Sequence, residues 1–548
     1  MIRLYPPKTR TETGLDHVLT SINLLTPYGK KQAKEVKPYL PGQENALEQE
    51  LDRVERLIGL FKDHPDRVET LLEVFHDMKE ISHTVARSAQ NALTVVELFE
   101  LKSFLLQCEK IRETLAPAAD LLPEEFHLLP TVDLLDQLDP QKDRINTFYL
   151  YDEFSERLSA LRKEKRELEL AIRQEKKEIR AQLQESCQIL LTPKFDLAVS
   201  KSNAELLSLC RSLPELVQES EDYMTAIFQI RGSQIMDDMT RRMEELADAM
   251  EEEELLIRER LSHRVHLTSG QLLTNCQRLG ALDYCLAKAS HALHHECTRP
   301  EILTEHRISF EDGRHLLVED LVKGKGKRYC PVSLTLHDGV SCITGANMGG
   351  KTVSLKLIGL MALLTQYGFF VPASKAQIGL SSYVHLLIGD IQSVQRGLSS
   401  FGGEMEELKD ILDHSISRSL LLIDEIASGT NPVEGLALTR SIIDYLNQKP
   451  YITVITTHFD HAAVDQSVQN LQVRGLASAD MKKLIRELQS ASRRERIEVI
   501  SRYMDYRLVH VSNQEEIPKD ALNIAKMLGI NDEIINQARK YMNPGGTE

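Results

Sequence analysis

The hydrophobic pattern changes character near residue 300. Before it, Gly is sparse and Leu, Glu, Lys and Arg recur at helical spacing, which predicts helices. NALEQELDRVERLIGLF and ALTVVELFELKSFLLQCEKIRETL are two of them, read as bundle helices with no chemistry of their own. After it, β-rich apolar runs alternate with helical patterns, as in a parallel α/β sheet.

Two helical segments stand apart. Leu158, Leu161, Leu168, Ile172, Ile179 and Leu183 follow 3–4 spacing, with Lys165 and Glu175 or Lys176 at the gaps. Met236, Met239, Met243, Leu246, Met250, Ile257 and Leu261 repeat that spacing. Both predict coiled-coil seams with mixed charge outside, each a rod of about 45–50 Å. Their separation suggests an antiparallel pair, out and back. The four Met read as core of that pair, not as a metal site. The segment between the rods, 193–232, is read either as a small tip domain or as a helical return.

The chain's 548 residues suggest three or four domains. A hydrophobic fraction of 42% with 27% charged residues excludes wholesale disorder. The balance of 66 Lys+Arg against 82 Asp+Glu, net −16, argues against coating nucleic acid by bulk charge but leaves a local basic groove open. Eight cysteines without a CxxC pair read as buried, reduced thiols of a cytoplasmic protein. No apolar run reaches the ~18–20 residues of a membrane span, and MIRLYPPKTR lacks a signal-peptide core. His291, His294, His295 and Cys297 have a spacing that suits a helix end better than a closed metal site.

The strongest chemical signal is SCITGANMGGKTVSLKLIGLMALL. Its GxxxxGK[ST] pattern runs from Gly345 through Gly349, Gly350 and Lys351 to Thr352, follows a strand-like stretch and opens an apolar helix. Glycines let amides turn inward around an anion, and the helix N-terminus adds its dipole. Lys351 is expected on the β- and γ-phosphates of ATP, with Thr352 on Mg²⁺ and Val353 next in the same turn. Downstream, SRSLLLIDEIASGTNP is an apolar strand ending in two carboxylates. Asp424 is expected to hold Mg²⁺ through water, and Glu425 to polarise the attacking water as general base. A third strand, YITVITTHFDHAA, would bring His458 beside the γ-phosphate, while Asp460 and His461 default to surface. Ser399, Ser400, Phe401 and Glu404 open an acidic helix; the serines are read as an N-cap, or as an anion site offered to a nucleotide held by another subunit.

These blocks, in this order, resemble the MutS family of ABC-type ATPases: GANMGGKT its P-loop, SSF and GGEM its signature helix, DEIASGTNP its Walker B and dimer-contact loop, TTHF its switch histidine. GRHLLVE at Gly313–Glu319 is similar to the family's approach to the ATPase domain, with Leu316 where Pro is usual, and Ile517–Met542 resembles its C-terminal helix-turn-helix. The upstream half is similar to the core and lever domains of the recombination-suppressing branch. The expectation is a protein that begins directly in the core domain, with no mismatch-reading domain, and stops at Glu548 without the Smr nuclease usual in that branch. Phe154 and Glu156 make a Phe-x-Glu only by accident, on a rod helix.

The resemblance implies a multidomain chain. Its expected parts are an all-α core (1–152), a coiled-coil lever (153–265) with a reduced clamp tip, return helices (266–305), a P-loop α/β ATPase domain (306–510) and a C-terminal helix-turn-helix (511–548). It further implies a homodimer that sandwiches two ATPs. One protomer would supply Lys351, Thr352, Asp424, Glu425 and His458, with Asn347 near the γ-phosphate. The other would supply Ser399 or Ser400 and the loop Ser428–Asn431. The implied function is an ATPase coupled to mismatched, branched or distorted DNA in repair or recombination control, without a membrane. The alternative is an ATP-driven factor that remodels a protein client. Leu476–Arg502 is read as one inserted basic helix, solvated or touching phosphate.

Overall fold

The structure, a computed structural model, describes residues 4–345, 350–389, 400–459, 465–476, 479–490, 496–511 and 520–542. It falls into two units. One comprises Asp77–Thr114 and Leu128–Arg278; the other comprises Met1–His76, Leu115–His127 and Leu279–Glu548. No helix among the described residues is long and apolar enough to cross a membrane.

The first unit is built around two long helices, Glu156–Cys187 and Gln234–Leu267. Each is started by a serine whose hydroxyl accepts from an amide three residues on: Ser155 from Leu158 and Ser233 from Met236. Leu158, Leu183, Met236, Leu246, Ile257 and Leu261 are buried, and the other residues at 3–4 spacing are half-buried. Leu170, off that spacing, is exposed. Arg242–Glu164 at 2.9 Å and Arg162–Glu254 at 3.0 Å show that the helices run antiparallel.

Between them lies an α/β tip, which resolves the two readings of 193–232 in favour of a small folded element with strands. Strand β1 (Asp196–Ser200), helix Ala204–Ser212, and strands β2 (Leu216–Glu221) and β3 (Thr225–Ile230) form an antiparallel sheet of order β1-β3-β2. Along β3, Ala226, Phe228 and Ile230 alternate inward and join Leu183, Leu191 and Cys210 in one small core.

The second unit holds two sheets. Strands β4 (Glu301–Leu303), β5 (Arg307–Gly313), β6 (Val332–His337) and β8 (Lys375–Gly379) form one, in the order β4-β8-β5-β6. The other has the order β13-β12-β7-β11-β10-β9, from β7 (Gly339–Thr344), β9 (Tyr383–Leu387), β10 (Ser419–Asp424), β11 (Tyr451–Thr456), β12 (Gln469–Gly475) and β13 (Asp505–His510). All its pairings are parallel except β12–β13. SLLLID and YITVIT are apolar on both faces because helices cover both. Leu420, Leu422 and Val454 meet Leu355, Ile358 and Met361 of helix Lys351–Gln366 on one face. Leu421, Ile423 and Ile455 meet Leu408, Ile411, Ile442 and Ile443 on the other.

The N-terminal helices share that core through Leu15 and Val18. The segment before them covers the edge of β9, where Val384 N–H donates to Leu4 O and Leu386 N–H to Thr9 Oγ1. Helix Lys351–Gln366 is anchored at its far end. Tyr39 N–H donates to Gln366 O at 2.7 Å, and Lys288 Nζ reaches Tyr367 O at 2.9 Å and Glu50 at 2.7 Å. Burial would raise the Glu50 carboxyl, but the Lys288 ammonium, assisted by Arg53, outweighs it and holds it at about 2. One expectation is corrected here: Leu476–Arg502 is not one helix. Helices Met481–Ser490 and Arg496–Tyr503 pack on each other through Leu484, Leu488, Val499 and Ile500, which two stretches of one straight helix cannot do.

Candidate active site

Strand order assembles the site. β11 lies between β7 and β10, so residues far apart in the chain finish side by side at the strands' carboxyl ends. β7 leads into Gly345 at φ +128°, and the chain re-enters the described residues at Gly350, left-handed at φ +79°. Gly350 caps helix Lys351–Gln366, a conformation that a side chain would strain. No acidic residue occupies that helix's first turn, so its amides and dipole stay available to an anion. Asn347 and Gly349 lie outside the described residues. Val353 is half-buried in the first turn.

Lys351 is 4% exposed. Its Nζ lies 3.1 Å from Gly345 O and 3.1 Å from Glu425 Oε1. Thr352 Oγ1 donates to Asp424 Oδ2 at 2.7 Å. The β10–β11 register pairs Asp424 with Thr456, whose hydroxyl donates to the other oxygen of Asp424. Thr456 also accepts twice from the Glu425 amide, at its carbonyl (3.1 Å) and its hydroxyl (3.0 Å). His458 Nδ1 lies 3.1 Å from Glu425 Oε1. The hydrogen bond with His458 is the largest cause holding the Glu425 carboxyl below its ordinary range; burial opposes it and Lys351 assists.

The loop after β10 is strained. Glu425 and Ala427 sit at φ +49° and +59°, where an L residue costs about 1–2 kcal/mol. It continues into Ser428–Asn431, where Ser428, Gly429 and Asn431 are exposed and Thr430 half-buried. Asn431 then caps helix Pro432–Asn447. Ser399 lies outside the described residues; Ser400 opens helix Ser400–His414, but its side chain is not among those described. Asp460 and His461 are also outside them.

Lys351, Thr352, Asp424, Glu425 and His458 are thus neighbours. Thr456 ends the strand YITVIT, and its role follows from cross-strand register, which no local pattern carries. The oxygens of Thr352 and Asp424 are hard donors that converge at the mouth of the helix, a set suited to Mg²⁺.

Two other clusters are structural. No group of three His, Cys, Asp or Glu among the described residues is placed to hold a metal, and His291 instead packs edge-on against Phe369. His306 bridges Asp338 (2.6 Å) and Ser381 (3.2 Å) in the order of a hydrolytic triad, but Ser381 is fully buried, beyond any substrate's reach.

Residues 341–544 match the family MutS domain V. Over 509 residues the chain is 27% identical to an Endonuclease MutS2 of Caldanaerobacter subterraneus subsp. tengcongensis, covering 91% of this chain and 59% of that protein. It is 36% identical over 245 residues to an Endonuclease MutS2 of Symbiobacterium thermophilum (43% of this chain, 30% of that protein), and 37% identical over 206 residues to one of Acetivibrio thermocellus (36% and 25%). The chain therefore spans less than two thirds of the length of these relatives.

Proposed function

We propose, from the premise that this chain belongs to the MutS family of ATPases on its MutS2 branch, that it binds ATP with Mg²⁺ at the ends of β7, β10 and β11, hydrolyses it, and couples the cycle to DNA in recombination or repair. The supporting observation is the convergence of Lys351, Thr352, Asp424, Glu425 and His458 from three strand ends.

Lys351 and the amides of the helix's first turn would receive phosphate oxygens, with Gly345, Asn347, Gly349, Gly350 and Val353 wrapped around them. Thr352 and Asp424 would hold Mg²⁺, which when bound neutralises charge on the phosphoryl oxygens. Glu425, kept ionised by His458 and Lys351, would take a proton from the attacking water. His458 would fix the direction of that carboxylate and carry charge near the γ-phosphate.

In the dimer we infer, Ser399 or Ser400 and the loop Ser428–Asn431 of one protomer complete the other's site. The long helices Glu156–Cys187 and Gln234–Leu267 act as a coiled-coil lever towards mismatched, branched or otherwise distorted DNA, and helices Asp520–Met527 and Asp532–Met542 pack the dimer.

Glu425→Gln is expected to bind ATP and lose at least roughly a hundredfold in turnover. Wild-type hydrolysis by that variant removes the base assignment. Gel shifts with linear, mismatched and four-way DNA, with and without ATP at two salt levels, test the second half. Absence of salt-sensitive binding to any of them refutes the DNA reading.

A further inference from the structure

The strained loop that carries Glu425 is held at several points besides Lys351. Its first residue is held by Thr456 on β11. Its third, Ala427, is fully buried, and its amide donates to Glu404 Oε2 at 3.2 Å. Glu404 belongs to a different element, helix Ser400–His414, one turn in from Ser400. On the far side the loop is closed by helix Pro432–Asn447, where a Cβ added at Gly435 would stand 2.8 Å from Ala427 O. The loop therefore has no slack towards Gly435, and its lateral position is set by whatever holds the Ala427 amide.

Helix Ser400–His414 is itself firmly seated. Leu408 and Ile411 share a core with Ile423, Ile426 and Ala427. Glu407, three residues past Glu404, accepts from Lys8 Nζ at 3.2 Å and lies 3.5 Å from His385 Nε2. Glu404 is half-buried, and burial pushes its carboxyl upward while the Ala427 amide opposes it.

We propose that Glu404 is a positioning residue: through the Ala427 amide it fixes the left-handed loop that aims Glu425, and so ties the aim of the general base to the helix that begins at Ser400. The inference rests on the ATPase reading above. In that reading the same helix faces the nucleotide of the neighbouring subunit, so a shift at one composite site is passed to the Glu425 of the other through one hydrogen bond.

The test compares wild type, Glu404→Ala and Glu404→Gln for steady-state ATP turnover and for affinity towards a non-hydrolysable ATP analogue. Glu404→Ala is expected to lower kcat about tenfold or more while analogue affinity stays within about twofold. Glu404→Gln, whose amide oxygen still accepts, is expected to keep at least about half of the wild-type kcat. Adding Ala427→Gly to Glu404→Ala should restore turnover severalfold, because glycine takes positive φ without strain. If Glu404→Ala does not fold, Glu404→Asp, one methylene too short to reach Ala427, reads the same contact. Unchanged kcat in the short variant, an equal loss of analogue affinity, or a Glu404→Gln as impaired as Glu404→Ala each overturns the proposal. A wild type without ATP turnover instead overturns the ATPase reading itself, so the two failures are distinct.

Discussion

Two ion pairs of nearly equal length show how differently charge is used between the long helices and beside the sheet. Lys288–Glu50, at 2.7 Å, is 1% and 10% exposed. Arg242–Glu164, at 2.9 Å between the long helices, is 48% and 43% exposed. Distance does not rank them; desolvation does. In the helix pair each charge keeps water as an alternative partner, so the pair is nearly interchangeable with hydration. Beside the sheet, burial denies Glu50 that alternative, and losing Lys288 would leave it only Arg53, at 3.0 Å, as a cationic partner next to the end of the P-loop helix. The contrast also explains why the chemistry sits where it does. The Lys351 side chain is 3% exposed and that of Glu425 31%, so the strand ends shield their pairing from part of the water.

The largest expected effect is therefore Lys288→Met, which should destabilise the unit by about 3–5 kcal/mol in denaturant unfolding. A loss under about 1 kcal/mol would show that Glu50 is rehydrated and would remove the contrast.

Acid comes next. Burial holds His291 at about 3 and His315 at about 4, both below the ordinary imidazole value, and both rings carry buried nitrogens without a partner among the described residues. The unfolded chain thus takes up protons first. Stability is complete above pH ~6.5 and drains as pH falls towards 4, by roughly 3 kcal/mol per histidine. Glu50 behaves differently: its contribution is complete above its ordinary value of 4.5 and is lost only as pH approaches about 2. His315→Gln should flatten the pH 7 to pH 4 slope of unfolding free energy; an unchanged slope means His315 is not the group that titrates.

Thr456→Val probes the same principle on function. It keeps shape but deletes the hydroxyl shared by Asp424 and the Glu425 amide, so turnover should fall about tenfold with little change in nucleotide affinity. An unaffected kcat would mean that the Thr456 carbonyl alone holds Glu425. The smallest effect is Arg242→Ala, for which thermal unfolding should match wild type; a clear drop in Tm would mean that the helix pair depends on surface charge after all.

Much of this was legible in the chain itself. The long helices show because a seam needs an apolar residue every three or four positions, from Leu158 to Leu183 and from Met236 to Leu261. The tip between them was ambiguous because its strands are short, and only the alternation of Ala226, Phe228 and Ile230 marks them. The inserted basic stretch reads as one helix because its apolar residues keep helical spacing within each of the two helices.

What the sequence determined alone is whatever depends on adjacent residues: glycines that can turn left-handed, a lysine and threonine opening a helix, two acids ending an apolar strand, a histidine ending the next. What only the tertiary structure decided is which of these meet. Thr352 touches Asp424 and His458 touches Glu425 because β11 slots between β7 and β10 in a set register, and Glu404 holds Ala427 because helix Ser400–His414 packs against Ile423 and Ile426. Register and strand order are long-range choices of packing, and no local window of residues encodes them.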